Sequence, residues 1–163
     1  MYNISMEVLQ DVLQKILSAS TDAFIIAILI AAFSALALFY GKRRIVALIF
    51  SFYPAALILD SISYLDDSSV LIQASSLVIA VIFIAYLIQR LIYAEFPYSR
   101  FRKFTEAILL GISVTVLVIA FSYHVVDISS VYNFSAGLDK LFSSVNFFWW
   151  LLAPLSVIFI IRR

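Results

Sequence analysis

Five long apolar runs dominate this chain and limit what it can fold into. They cover approximately residues 23–40, 45–65, 70–94, 105–126 and 142–161. An α-helix rises about 1.5 Å per residue and the hydrocarbon core of a bilayer is about 30 Å thick, so about 20 apolar residues cross it. The first, third, fourth and fifth runs are long enough, and they predict transmembrane helices.

A soluble fold is excluded by composition. Of the 163 residues, 64% are hydrophobic and 13% are charged, whereas about 25% of the residues of a soluble domain are charged. Too little polar sequence remains to cover five buried helices. Strands also fit poorly, because membrane barrels use alternating segments of about 10 residues and these runs are continuously apolar. We therefore predict an all-α, polytopic helical membrane protein.

The second run can be either a full transmembrane span or a re-entrant segment. Its uncharged part, residues 45–59, contains 15 residues, which is about 22 Å of helix and shorter than the bilayer core. Extending the run through Asp60 gives enough length but places a carboxylate in the outer part of the span. We expect five transmembrane helices, or four if the second run is re-entrant.

An amphipathic helix is predicted before the first run. Its apolar positions recur at helical spacing and its polar face is mildly acidic. The apolar positions are Val8, Leu9, Val12, Leu13, Ile16 and Leu17. We expect this helix, residues 1–22, on the extracytoplasmic side, and we expect residues 23–163 to form one transmembrane helical domain.

The cations predict the orientation of the chain, because Lys and Arg near span ends mark the cytoplasmic side. Nine of the eleven cations share one side if five spans start with the N-terminus outside and end with the C-terminus in the cytoplasm. In the segment YGKRRI, residues 40–45, Gly41 permits a tight turn. The expected cytoplasmic anchors are Lys42, Arg43, Arg44, Arg100, Arg102, Lys103, Arg162 and Arg163. This pattern predicts an integral membrane protein, and the cell (inner) membrane is its expected location.

Three polar residues form the candidate ion site. Asp60 follows Pro54 by six residues, and a carboxylate after a proline-loosened helix segment resembles parts of transport sites. His124 and Asp127 are three residues apart and can share a helix face near the same side of the membrane. The simpler interpretation is that all three reach headgroups or water at helix ends. One histidine and no cysteine predict no metal centre.

Other features predict helix packing and helix shape. Small residues at four-residue spacing let helices approach closely. These ridges are Ala27, Ala31 and Ala35 in the first run and Ala107, Gly111 and Thr115 in the fourth. Pro54 and Pro154 predict helix kinks. Trp149 and Trp150 lie deep in the fifth run, so either this span is short and starts at about residue 146 or the indoles bond to other helices.

Two segments resemble the colicin V production protein family. They are LALFYGKRRIVALIFSF, residues 36–52, and FIAYLIQRLIYAEFPYSRFRKFTEAILLGISVTVLVIAF, residues 83–121. Members of that family are small inner-membrane proteins with a short Gly-and-Arg turn between two spans and a basic linker between the third and fourth. The resemblance covers residues 23–126. It implies a role in envelope homeostasis or export, with no catalytic residues to carry over.

The sequence contains no phosphate-binding loop, zinc-protease motif or nucleophile elbow. We expect a non-enzymatic integral membrane protein with a structural, assembly or envelope-maintenance role, without a cofactor. The alternative is a small transporter or channel subunit acting in an oligomer or larger complex. The expected partners are the lipid bilayer and a membrane protein or further copies of this chain. Dispersed cations predict no nucleic-acid partner.

Overall fold

A computed structural model describes residues 2–62, 68–91, 102–126, 132 and 134–162. All the regular secondary structure in these residues is helical. The six helices are α1 (Tyr2–Tyr40), α2 (Lys42–Asp60), α3 (Val70–Leu91), α4 (Arg102–His124), α5 (Ala136–Leu141) and α6 (Ser144–Arg162). The all-α prediction is confirmed.

Three helices in the described residues are long and apolar enough to cross a membrane. They are Ile16–Tyr40 within α1, Val70–Leu91 and Phe104–His124, with 25, 22 and 21 residues. Each is at least about 31 Å long, which matches the bilayer core. These lengths indicate a membrane protein.

The two remaining long helices, α2 and α6, have 19 residues each. The apolar part of α6, Val145–Ile161, is shorter than the three long spans. α2 carries cations at its start and Asp60 at its end, but it is one continuous helix of about 28 Å. The five-span count stays a prediction, because length and apolarity alone support three.

The first helix differs from its predicted division at residue 22. α1 is continuous for 39 residues, about 58 Å, because no glycine or proline interrupts residues 2–40. Ser20 and Thr21 do not cap a new helix here. Both hydroxyls donate to the carbonyl of Leu17, at 2.8 and 3.0 Å, as side chains inside a helix do.

The fourth helix forms the centre of the bundle. It packs against α1, α2 and α6, while α3 packs mainly against α2. Within the apolar span of α4, 61% of the residues are buried, against 11% for the spans of α1 and α3. The fully buried side chains of α4 include Leu110, Val114 and Leu117. α4 is therefore the central and most deeply buried of these three long helices.

The two predicted small-residue ridges have different environments. Ala107, Gly111 and Thr115 are all buried in the bundle, whereas Ala27 and Ala31 are exposed. α1 instead meets α4 through the face that carries Ile30 and Ser34. The small-residue ridge on α4 therefore packs inside this chain, and that of α1 mostly faces outward.

The turn between α1 and α2 is made by Gly41. Its φ angle of 85° is accessible to glycine and strained for other residues. Its N–H donates to Ala37 O at 3.2 Å, and its carbonyl accepts from the N–H of Arg44 at 3.2 Å. Gly41 is the only residue between α1 and α2, in agreement with the tight turn that the segment YGKRRI predicts.

Both predicted kink residues lie inside helices, Pro54 in α2 and Pro154 in α6. Each proline removes one hydrogen bond from its helix. Tyr53 donates its hydroxyl to the carbonyl of Leu151, at 2.7 Å, so the two proline segments are joined directly. This bond links α2 to α6 between two apolar surfaces.

Candidate functional site

Most of the serine and threonine hydroxyls described within the helices bond to carbonyls of their own helix, whereas the Ser34 hydroxyl is buried without a hydrogen-bond partner among the described residues. Ser51 donates to Leu48 O at 2.6 Å, and Ser113 donates to Leu109 O at 2.8 Å. Thr115 donates to Gly111 O at 2.9 Å. The same pattern occurs at Ser61, Ser75, Ser122 and Ser156. A hydroxyl that is bonded in this way has its proton engaged inside the helix, which favours packing over a polar pathway.

One end of the bundle collects the charges that surround the first turn. We call it the basic end and define it by Lys42, Arg43, Arg44, Arg90 and Glu106. Lys42 and Glu106 form an ion pair with side chains only 17% and 11% exposed. This pair joins the start of α2 to the first turns of α4, because opposite charges in a poorly hydrated site attract strongly.

The three arginines of the basic end line an open cavity of about 420 Å³. Tyr86 and Gln89 complete the described lining. Arg43 donates to the backbone carbonyl of Gln89 at 2.7 Å, which holds the start of α2 against the end of α3. Arg90 donates to the hydroxyl of Tyr86 at 2.6 Å and lies over its ring at 5.0 Å.

Arg44 extends the cluster toward α1, because its guanidinium lies 5.5 Å from the centre of the Tyr40 ring. Cation–π contacts of this kind hold a guanidinium in place without neutralising its charge. Arg90, which was not among the predicted anchors, therefore joins Arg43 and Arg44 in one cavity.

The other predicted anchors lie at helix ends or outside the described residues. Arg102 and Lys103 belong to the first turn of α4, just before Glu106, and Arg162 is the last residue of α6. Arg100 and Arg163 lie outside the described residues.

Only two members of the predicted ion site, Asp60 and His124, lie in the described part of the chain. Asp60 and His124 are the exposed last residues of α2 and α4. The His124 ring packs on the ring of Phe147, with 4.0 Å between centroids. Asp127 lies outside the described residues. No group of three His, Asp or Glu residues that could hold a metal ion occurs in the segments that the structure describes.

A buried carboxylate near the same end was missed as a binding group. Asp22 is only 3% exposed. Its carboxylate accepts one hydrogen bond from the Tyr132 hydroxyl, at 2.9 Å, and another from the backbone N–H of Ser135, at 2.8 Å. The hydrogen bond to Asp22 raises the pKa of the Tyr132 phenol, because deprotonation would place two anions in contact. Asp22 thus ties α1 to the segment before α5.

Aromatic rings cover this end of the bundle. Phe142 stacks on Tyr123 and on Trp150, with centroid distances of 5.8 and 4.9 Å. The Trp150 indole N–H donates to Leu141 O at 2.7 Å. Trp149 is 66% exposed. The two tryptophans therefore differ, since Trp150 bonds to the neighbouring helix and Trp149 lies on the outer surface.

Gly111 of α4 lies close against the backbone of α1. A Cβ atom added there would lie 2.8 Å from the backbone N of Ser34 and 3.0 Å from the carbonyl O of Ile30, and it would overlap the Ser34 hydroxyl. Only glycine allows the backbones of α1 and α4 to approach this closely.

Comparison with known proteins adds no relative. No protein-family model, curated protein or solved structure matches this chain. The resemblance to colicin V production proteins stays a prediction.

Proposed function

We propose that this chain is a non-enzymatic integral membrane protein with a structural, assembly or envelope-maintenance role. The observation that carries the proposal is the engagement of span hydroxyls within their own helices, as at Ser51, Ser113 and Thr115. A transport pathway needs polar groups directed into a shared space. Here these groups sit in a closely packed core around α4.

Exposed apolar faces support a partner or a homo-oligomer. On α3, Ile79 and Phe83 are 67% and 62% exposed, and on α6 Phe159 is 75% exposed. In a bilayer such faces contact lipid or other helices, and in the membrane helix association depends on packing.

We further propose five spans, with the N-terminus outside and the C-terminus in the cytoplasm of an inner membrane. The support is the cation distribution together with the meeting of Lys42, Arg43, Arg44 and Arg90 at one bundle end. Asp60 ends its helix away from that cluster.

Single cysteines test this orientation cleanly, because the native chain has none. We expect Ser69→Cys and Ala136→Cys to react with an impermeant thiol reagent in intact cells, and Ser99→Cys to react only after lysis. The reason is that the basic linker before α4 stays in the cytoplasm. The unsubstituted chain is the background control. Labelling of Ser69→Cys and Ser99→Cys in intact cells alike would mean that the third run does not cross.

Purification in a mild detergent tests the proposed role. We expect differently tagged copies to co-purify with one another or with a second membrane protein when they are expressed together. Copies that are solubilised separately and then mixed give the control for association after extraction. A solitary monomer that supports solute flux in liposomes contradicts the proposal. Loss of such flux in Asp60→Asn would assign the chain to the transporter class.

A further inference from the structure

We propose that the cavity of the basic end binds the phosphate group of an anionic phospholipid. The cavity is lined by Arg43, Arg44, Tyr86, Gln89 and Arg90 and has a volume of about 420 Å³. That volume is within the roughly 300–1,000 Å³ of ligand-binding pockets. The inference requires the chain to lie in a membrane, but it does not depend on the proposed structural role.

The arginines are arranged to recognise an oxyanion. Guanidinium groups present a planar fork of donors that matches phosphate geometry, and such charge-assisted bonds are stronger than neutral ones. Arg90 is held by the ring and hydroxyl of Tyr86, and Arg44 is held by the ring of Tyr40. In the part of the chain that the structure describes, these aromatic contacts orient both guanidinium groups and leave their positive charge available to an anion.

The position of the cluster on α2 favours the same ligand. Residues 42–44 form the first turn of α2, where the helix dipole is positive and favours anions over cations. Glu106, on α4, pairs with Lys42. No acidic residue is among the described residues that line the cavity. A bound phosphate would offset both the repulsion among the arginines and the unfavourable dipole.

The surroundings favour a lipid over a soluble phosphate. Phe39 is 87% exposed at the end of α1, and Phe83 and Leu87 are 62% and 45% exposed on α3, within one helical turn of Tyr86, which lines the cavity. Acyl chains can lie along these apolar surfaces while the headgroup reaches the arginines. A soluble phosphate would use the arginines and leave the apolar surfaces unused.

Native mass spectrometry of the purified protein in detergent tests the proposal. We titrate it with phosphatidylglycerol and, separately, with phosphatidylcholine. Phosphatidylglycerol should bind more tightly, and Arg44→Gln and Arg90→Gln should each weaken it roughly tenfold, because each removes a charge-assisted contact. Lys140→Gln, which removes one exposed cation from α5 at the opposite end, should leave the affinity unchanged.

Further measurements distinguish lipid phosphate from soluble phosphate, and loss of binding from loss of folding. Arg90→Lys keeps the charge but loses the planar fork, so its affinity should lie between those of the native protein and Arg90→Gln. Thermal unfolding without lipid identifies any variant that fails to fold, and the two glutamine variants provide independent readouts. Glycerol phosphate and inorganic phosphate serve as soluble competitors and should not displace the lipid.

The outcomes are distinct. Lipid selectivity that depends on Arg44 and Arg90, without competition by soluble phosphate, supports the proposal. Competition by glycerol phosphate at concentrations similar to those of the lipid overturns the lipid source and assigns the cavity to a soluble phosphate. Equal binding of phosphatidylglycerol and phosphatidylcholine, or unchanged binding in both glutamine variants, overturns the anion site altogether. None of these results depends on whether the chain co-purifies with a partner.

Discussion

Gly111→Ala is expected to destabilise the protein by about 1–3 kcal/mol, the usual cost of overpacking a closely packed core. The added methyl group would meet the Ser34 hydroxyl, the Ser34 N and the Ile30 O, of which the last two are backbone atoms that cannot rotate away. Elsewhere in a helix the same exchange stabilises by up to about 1 kcal/mol. The thermal unfolding midpoint in detergent measures the difference.

Gly137→Ala is the matched control, because a Cβ atom there has the Ser135 hydroxyl as its nearest neighbour at 4.0 Å. Its unfolding midpoint should stay the same or rise. Adding Ser34→Ala to Gly111→Ala should recover only part of the loss, since the two backbone contacts remain. An unchanged midpoint in Gly111→Ala would contradict the close approach of α1 and α4.

Glu106→Gln is expected to have the largest effect at the basic end. Removing one partner of a buried ion pair costs about 3–5 kcal/mol, because the remaining charge loses its counter-charge. Lys42 and Glu106 are both largely shielded from water. We therefore expect a lower unfolding midpoint and weaker attachment of α2 to α4, measured by faster hydrogen exchange in the first turns of both helices.

The double variant Lys42→Met with Glu106→Gln provides the decisive comparison. Replacing both members of a buried pair by uncharged groups is often close to neutral, so the double variant should be more stable than Glu106→Gln alone. Asp139→Asn changes an exposed carboxylate and should shift the midpoint by much less. Equal losses in the single and double variants would show that the ion pair is not the source of the effect.

Helix positions could be predicted from the sequence where the apolar length determines them. The third run, residues 70–94, corresponds to Val70–Leu91, and the fourth, residues 105–126, corresponds to Arg102–His124. α1 continues through residue 22, because a change from amphipathic to apolar sequence does not end a helix unless a breaking residue is present. The second run also starts earlier, since its cations join the first turn of α2.

The polar contacts could not be predicted because they join distant parts of the chain. Asp22 bonds to Ser135, and Lys42 pairs with Glu106, so each partner is identified only when the helices are packed. Arg90 was not among the predicted anchors, yet it shares a cavity with Arg43 and Arg44. Charge near a span end predicts its side of the membrane, but not its neighbours.

The close crossing at Gly111 has a consequence for biosynthesis. Its partner on α1, Ser34, lies 77 residues earlier in the chain (111 minus 34). At a synthesis rate of roughly 5–20 residues per second, about 4–15 s pass between the synthesis of Ser34 and that of Gly111. During that time α2 and α3 can pair with each other, while the face of α1 around Ser34 is open to lipid or to an insertion factor. The close contact between Gly111 and Ser34 therefore cannot form until α4 has been made.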